Sequence, residues 1–118
     1  MKARTHIALA TVAAISAAVA ANAKPISRII AEMGLTPADF EVVNATSTAM
    51  LSGGSPSVGQ ERAWVNESTG SKGTIRVQAV QNNCVTLQHV IDPEGAGQTR
   101  EIRTRRCKDA NGNWLMAP

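Results

Sequence analysis

Tyrosine is absent, phenylalanine occurs once and tryptophan twice in the 118 residues. No broad aromatic core is available, so each large ring carries more than the usual share of packing. Histidine is confined to His6 and His89, and cysteine to Cys84 and Cys107. That scarcity leaves no zinc-spaced His/Cys set and no Cys-x-x-Cys pair, and the chain also has no Gly-x-Ser-x-Gly elbow or phosphate loop. No cofactor, metal site or catalytic residue is expected, and the chain reads as a non-enzyme. His89 sits on an alternating row with Val85, Leu87 and Ile91, where a structural strand histidine is the ordinary case.

A strong charge of one sign is missing as well. The whole chain has a net charge of +3, and removing Lys2 and Arg4 leaves +1, which gives no support to a general polyanion binder.

Long apolar runs are missing except at the N-terminus. There Lys2 and Arg4 precede the run Ile7 to Ala21, which closes in the small residues Ala21-Asn22-Ala23. This is the pattern of a secretory signal peptide cut after Ala23. A retained anchor would need ~20 strongly apolar residues, whereas this run is mostly alanine and holds Thr11 and Ser16. No cysteine stands at the cleavage point to take a lipid. The expected product, residues 24–118, is exported to the periplasm, the outer membrane or the exterior, with no membrane span.

An even pair of cysteines in an exported chain implies a disulfide, Cys84 to Cys107. Closing that loop restricts the unfolded chain by ~3 kcal/mol, a useful staple for one small domain with a thin core.

Along the chain, Ile26, Ile29, Ile30 and Met33 are spaced for one buried face of a short helix over 26–33, with Gly34 as its left-handed stop. Thr36-Pro37-Ala38-Asp39 is a fresh start, with Thr36 as N-cap, Pro37 at the first helical position and Asp39 near the positive end of the dipole. Phe40, Val43, Thr46 or Ser47, Met50 and Leu51 continue a second helix over 37–51, which ends in Ser52-Gly53-Gly54-Ser55-Pro56. This tandem superficially has the form of a DNA-reading helix pair. Its second segment offers Asp39 and Glu41 and no basic residue to meet phosphates, so no nucleic-acid partner is expected.

After Pro56 the period becomes alternating, with candidate strands at 61–66, 73–80, 84–91, 99–107 and 113–116. Ile75, Val77 and Ala79 are assigned to one face and Arg76 and Gln78 to the other. Turn chemistry separates the strands at 68–71, 81–83, 92–97 and 109–112, with Asn111-Gly112 the sharpest hairpin. The expected fold is α+β: a short helix and one longer helix packed on a curved antiparallel meander sheet of about five strands. Residues 24–58 form the helical segment and 59–118 the β region of a single domain, and a small closed barrel with the helices as a lid is the alternative.

The run GQERAWVNESTGSKGTIRV, then NNC, then RTRRCKDANGNW resembles the C-terminal domain of the bacterial 17 kDa surface antigen family, the rickettsial-type outer-membrane surface antigens. The matching positions are Gly59, Trp64, Asn66, Ser68, Gly70 and Gly73, followed by Cys84, Cys107, Asn111, Gly112 and Trp114. Arg106 precedes the second cysteine, Lys108 stands where the family has arginine, and the last turn is longer. The family's lipobox and glycine-rich apolar segment are absent, so its anchoring is not carried over. What the resemblance implies is an exported cell-envelope protein, a structural or binding module.

Physical roles follow independently of the family. Gly70 and Gly73 are expected to supply positive φ and a tight reversal between the first two strands. Trp64 and Trp114 are expected to bury most of their rings, with a sugar or peptide platform as the alternative.

Arg100, Arg103, Arg105, Arg106 and Lys108 form the one basic cluster. On a strand, Arg103 and Arg105 point together and Arg106 opposes them. A patch of this kind suits anionic envelope components, namely lipid head groups, lipopolysaccharide phosphates or peptidoglycan carboxylates. The alternative is a solvated strand face whose charges deter edge pairing. Other envelope proteins are also possible partners. Were the chain a eukaryotic secreted one, Asn44-Ala45-Thr46 and Asn66-Glu67-Ser68 would be glycosylation acceptors.

Overall fold

The computed structural model describes residues 25–94 and 97–117. The signal-peptide assignment, with its cleavage at Ala23, falls outside the described residues, as do the tip of the 92–97 turn and Pro118.

Helix α1 (Ile26–Met33) ends at Gly34, whose φ of 71° is left-handed. The amide of Gly34 donates to Ala31 and that of Leu35 to Ile30, the paired arrangement of a Schellman stop. Only glycine enters that conformation without a steric cost. Leu35 then turns inward and α2 (Pro37–Ser52) begins.

A complete capping box opens α2. Thr36 Oγ1 accepts from the Asp39 amide, and Asp39 Oδ2 accepts from the Thr36 amide, both at 3.1 Å, so two otherwise orphaned donors are satisfied. Phe40, Val43, Ser47, Met50 and Leu51 form its buried stripe. Ser47, not Thr46, takes the inward position, and its hydroxyl donates to the Val43 carbonyl at 2.8 Å.

Five strands follow: β1 (Glu61–Asn66), β2 (Ser71–Gln81), β3 (Cys84–Asp92), β4 (Arg100–Lys108) and β5 (Trp114–Ala117). They pair antiparallel in chain order as one open sheet. The fold is therefore α+β, with both helices on one face of a meander. Helix α2 packs mainly on β1 and also reaches β5, while α1 rests on β4. Met33, Phe40, Val43 and Leu51 meet Trp64, Ile75, Val77, Leu87 and Ile91 in a single apolar cluster.

The assigned faces hold in β3, where Val85, Leu87, His89 and Ile91 are all buried. They fail in β2. A register shift between Val77 and Ala79 places an extra residue in the strand, and such a bulge exchanges the faces of everything beyond it. Ala79 therefore pairs with Thr86 on the outer face, instead of sharing the inner face with Ile75 and Val77.

Two glycines differ in their physical reason. Gly70 has φ +83° and makes the reversal after β1. Gly73 has no positive φ; it lies within β2 opposite Trp64 and Ile91. A Cβ there would stand 2.5 Å from the Val90 carbonyl oxygen and 2.9 Å from Trp64 Nε1, so close approach of that carbonyl and of the indole, not a turn, requires glycine.

The Asn111-Gly112 turn is also organised differently from a two-residue hairpin. Gly112 has φ +85°, but Asn111 does not adopt positive φ. Asp109 Oδ1 instead accepts from the amides of Asn111 and Asn113 at 2.9 and 2.8 Å. The carboxylate shapes a longer loop.

Candidate functional site

The five residues of the expected basic cluster are dispersed by the fold. Arg100 turns toward α1, where its Nη1 donates to the Glu32 carbonyl at 3.4 Å. It thus supplies a cation at the negative end of a helix otherwise lacking basic residues in its last turn. Arg106 points inward and is only 2% exposed. Lys108 reaches the loop end of the sheet, with its Nζ 5.7 Å from the Trp114 ring centroid.

Arg103 and Arg105 remain on the outer face, as alternation requires. Arg103 stands 4.0 Å from Glu101 across an exposed ion pair, and Arg105 donates to Cys84 Sγ at 3.3 Å. Register adds a residue that the linear cluster did not contain. Arg76 pairs with Gln88, which pairs with Arg103, so Arg76 and Arg103 lie two strand spacings, about 10 Å, apart on one face. The alternation of Arg76 with Ile75 and Val77 carried this information; the missing element was the pairing register.

Beneath the sheet lies a buried polar group. His89 Nε2 shares a hydrogen bond of 2.8 Å with Thr104 Oγ1, while Nδ1 finds no partner. Burial, with the Arg106 charge second, pushes the imidazole down to about 4. Burial likewise pushes the Arg106 guanidinium down, and its Nε and Nη2 have no hydrogen-bond partner. Among the described residues no carboxylate pairs with it, which is unusual for a buried cation.

Asn66 also gains a structural role. Its Nδ2 donates to Asp39 Oδ1 at 2.7 Å, and Thr69 Oγ1 donates to the same oxygen at 2.6 Å. Burial alone would raise the Asp39 carboxyl, but bonds from Thr69, the Thr36 amide and Asn66 outweigh it and hold the group below its ordinary value. This network ties the start of α2 to the β1–β2 turn.

The disulfide is formed, Cys84 to Cys107, and the two residues face each other directly across β3 and β4. Immediately beyond it is a cleft of about 590 Å³. Its walls are the end of α2, the β2–β3 turn and the β4–β5 loop, presenting Ser52, Ser55, Asn82, Asn83, Lys108 and Trp114. Asn82 holds a left-handed φ of 55°, which asparagine tolerates better than most residues. Trp64 is buried as expected, but Trp114 is only partly so, because it forms the wall of this cleft.

A shallower concavity of about 550 Å³ lies on the outer face beside Val65, Lys72 and Val90. Among the described residues there is no cluster of three His, Cys, Asp or Glu able to hold a metal, and no helix is long and apolar enough to cross a membrane. Comparison with family models, curated proteins and solved structures finds no match for the chain.

Proposed function

We propose that this is an exported protein of the bacterial cell envelope, a surface-antigen-like, non-enzymatic structural or binding module. The observation that carries the reading is the Cys84–Cys107 bridge, since a structural disulfide belongs to an oxidising compartment. The resemblance over 59–114 supports it. So does the order in which Trp64, Asn66, Gly70 and Gly73 each take a distinct part in one packed unit around the first hairpin. Fractionation of the native cell tests it: the protein is expected in the periplasmic or membrane fraction, and recovery in the cytosol overturns the reading.

A second reading is favoured by the placement of Arg76 beside Arg103 and Arg105. On this reading the outer sheet face binds anionic envelope components, and the binding weakens with salt. Sedimentation with anionic and zwitterionic vesicles checks it. Equal retention of an Arg103→Glu/Arg105→Glu variant removes it.

A further inference from the structure

The cleft beyond the disulfide combines three chemistries in one place. Trp114 supplies a flat, partly exposed ring. Lys108, itself exposed, holds its ammonium over that ring, 5.7 Å from the centroid, in a cation–π contact. Asn82 and Asn83 on one side, and Ser52 and Ser55 on the other, add amides and hydroxyls that both donate and accept.

None of these four exposed polar side chains bonds to another described residue, and among the described residues no carboxylate lines the cleft. Its polar groups are thus open to a ligand, and the one formal charge among the described lining residues is positive. The size falls within the range of small-molecule sites.

The geometry points to a binding site for a carboxylated saccharide. A pyranose presents an apolar C–H face that can take the place of the Lys108 ammonium over the Trp114 ring, and vicinal hydroxyls suited to side-chain amides and hydroxyls. A carboxylate on the sugar completes the match at Lys108. An extended acidic peptide is the competing ligand, because Trp114 opens β5 at the edge of the sheet and an edge can pair with a main chain; it would not need the side-chain amides and hydroxyls of the other walls. The walls are also held in place before any ligand arrives: Lys108 N donates to the Asn83 carbonyl at 2.8 Å, next to the disulfide, and such preorganisation lowers the cost of binding. This site is separate from the arginine face of β2 to β4 and does not depend on the envelope reading.

The test uses the oxidised protein and three probes: a galacturonic acid trimer, the same trimer with every carboxylate methyl-esterified, and triglutamate. NMR shifts of the Trp114 indole and of the Asn82 and Asn83 side-chain amides report on the cleft. The expected result is saturable shifts at those groups with the acidic trimer and binding about tenfold weaker with the ester, the worth of one charge-assisted contact. Lys108→Gln is expected to erase that preference, with a loss of at most a few degrees in melting temperature from the cation–π contact it gives up. Asn82→Gly, which keeps the backbone conformation, is expected to weaken both saccharides.

Equal affinity for the ester, equal or tighter binding of triglutamate, or no saturable shift each overturns the proposal. Shifts centred on Arg76, Arg103 and Arg105 overturn it in favour of the outer face. The acid-against-ester comparison is made on the unmodified chain and so does not depend on any variant folding.

Discussion

The backbone amide of Lys108 donates to the carbonyl of Asn83 at 2.8 Å, one residue past the Cys84–Cys107 bridge on both strands. Bridge and hydrogen bond together pin the β2–β3 turn against the start of the β4–β5 loop. With a sequence separation of 23 residues, replacing both cysteines by serine is expected to cost ~3 kcal/mol. Urea unfolding at neutral pH measures this, and hydrogen exchange at the Lys108 amide should accelerate in parallel. An unchanged urea midpoint would show that the bridge contributes nothing to stability.

Arg106 keeps its guanidinium beneath the sheet with Nε and Nη2 unpartnered. Arg106→Met retains the length of the apolar stem and removes the buried charge. The variant is expected to be more stable by about 1–4 kcal/mol, the range seen when buried charges give way to apolar isosteres. The imidazole of His89 should also titrate at higher pH once the neighbouring charge is gone. Chemical denaturation and an NMR titration of His89 read the two effects; a marked loss of stability would mean that Arg106 has a partner of real weight.

Acidification acts first through His89. Its native value of about 4 lies below the ordinary 6.5, so between these limits the unfolded chain binds a proton that the native chain does not. The stabilisation is complete above about pH 6.5 and is lost as the pH falls toward 4, a difference of about 3 kcal/mol. Asp39, held below its ordinary 3.8, adds a further loss only in more acid solution. Urea midpoints measured across this range should fall for the wild type and stay nearly level for His89→Leu down to pH ~4. An identical slope in both proteins would refute the assignment.

Gly73 and Trp64 form a matched pair across β1 and β2. Gly73→Ala forces a methyl group against the Val90 carbonyl and the indole, and overpacking of this kind typically costs about 1–3 kcal/mol. Trp64→Ala is expected to cost ~3–5 kcal/mol through the void it leaves. Trp114→Ala should cost less, since that ring is only partly buried. Thermal melts of the three variants establish the order, and a larger loss at Trp114 than at Trp64 would contradict the packing described.

The helices and the order of strands were legible because their causes are local. Thr36, Pro37 and Asp39 announce a helix start within four residues, and the alternation of Val85 to Ile91 defines a face without reference to any neighbour. The fate of the basic cluster was not local. Alternation separates Arg106 from Arg103 and Arg105, but only the strand register brings Arg76 beside Arg103. Only the position of α1 draws Arg100 to the Glu32 carbonyl.

The bulge after Val77 has no residue signature in QAV, so the facing of Ala79 was misread. Gly73 was read as a turn residue for a related reason: its requirement comes from the Val90 carbonyl on one neighbouring strand and the Trp64 indole on the other. The cleft was least visible of all. Asn82, Ser55 and Trp114 look like turn and core residues until the three segments that carry them are brought to one end of the sheet.

Intact mass of the protein purified from its native cell, under non-reducing conditions and with the N-terminus identified, tests the central claim most directly. The expected species is a chain beginning at Lys24 with both sulfurs joined and no thiol free for alkylation. A chain that still begins at Met1 and takes up two alkyl groups without reductant would contradict it.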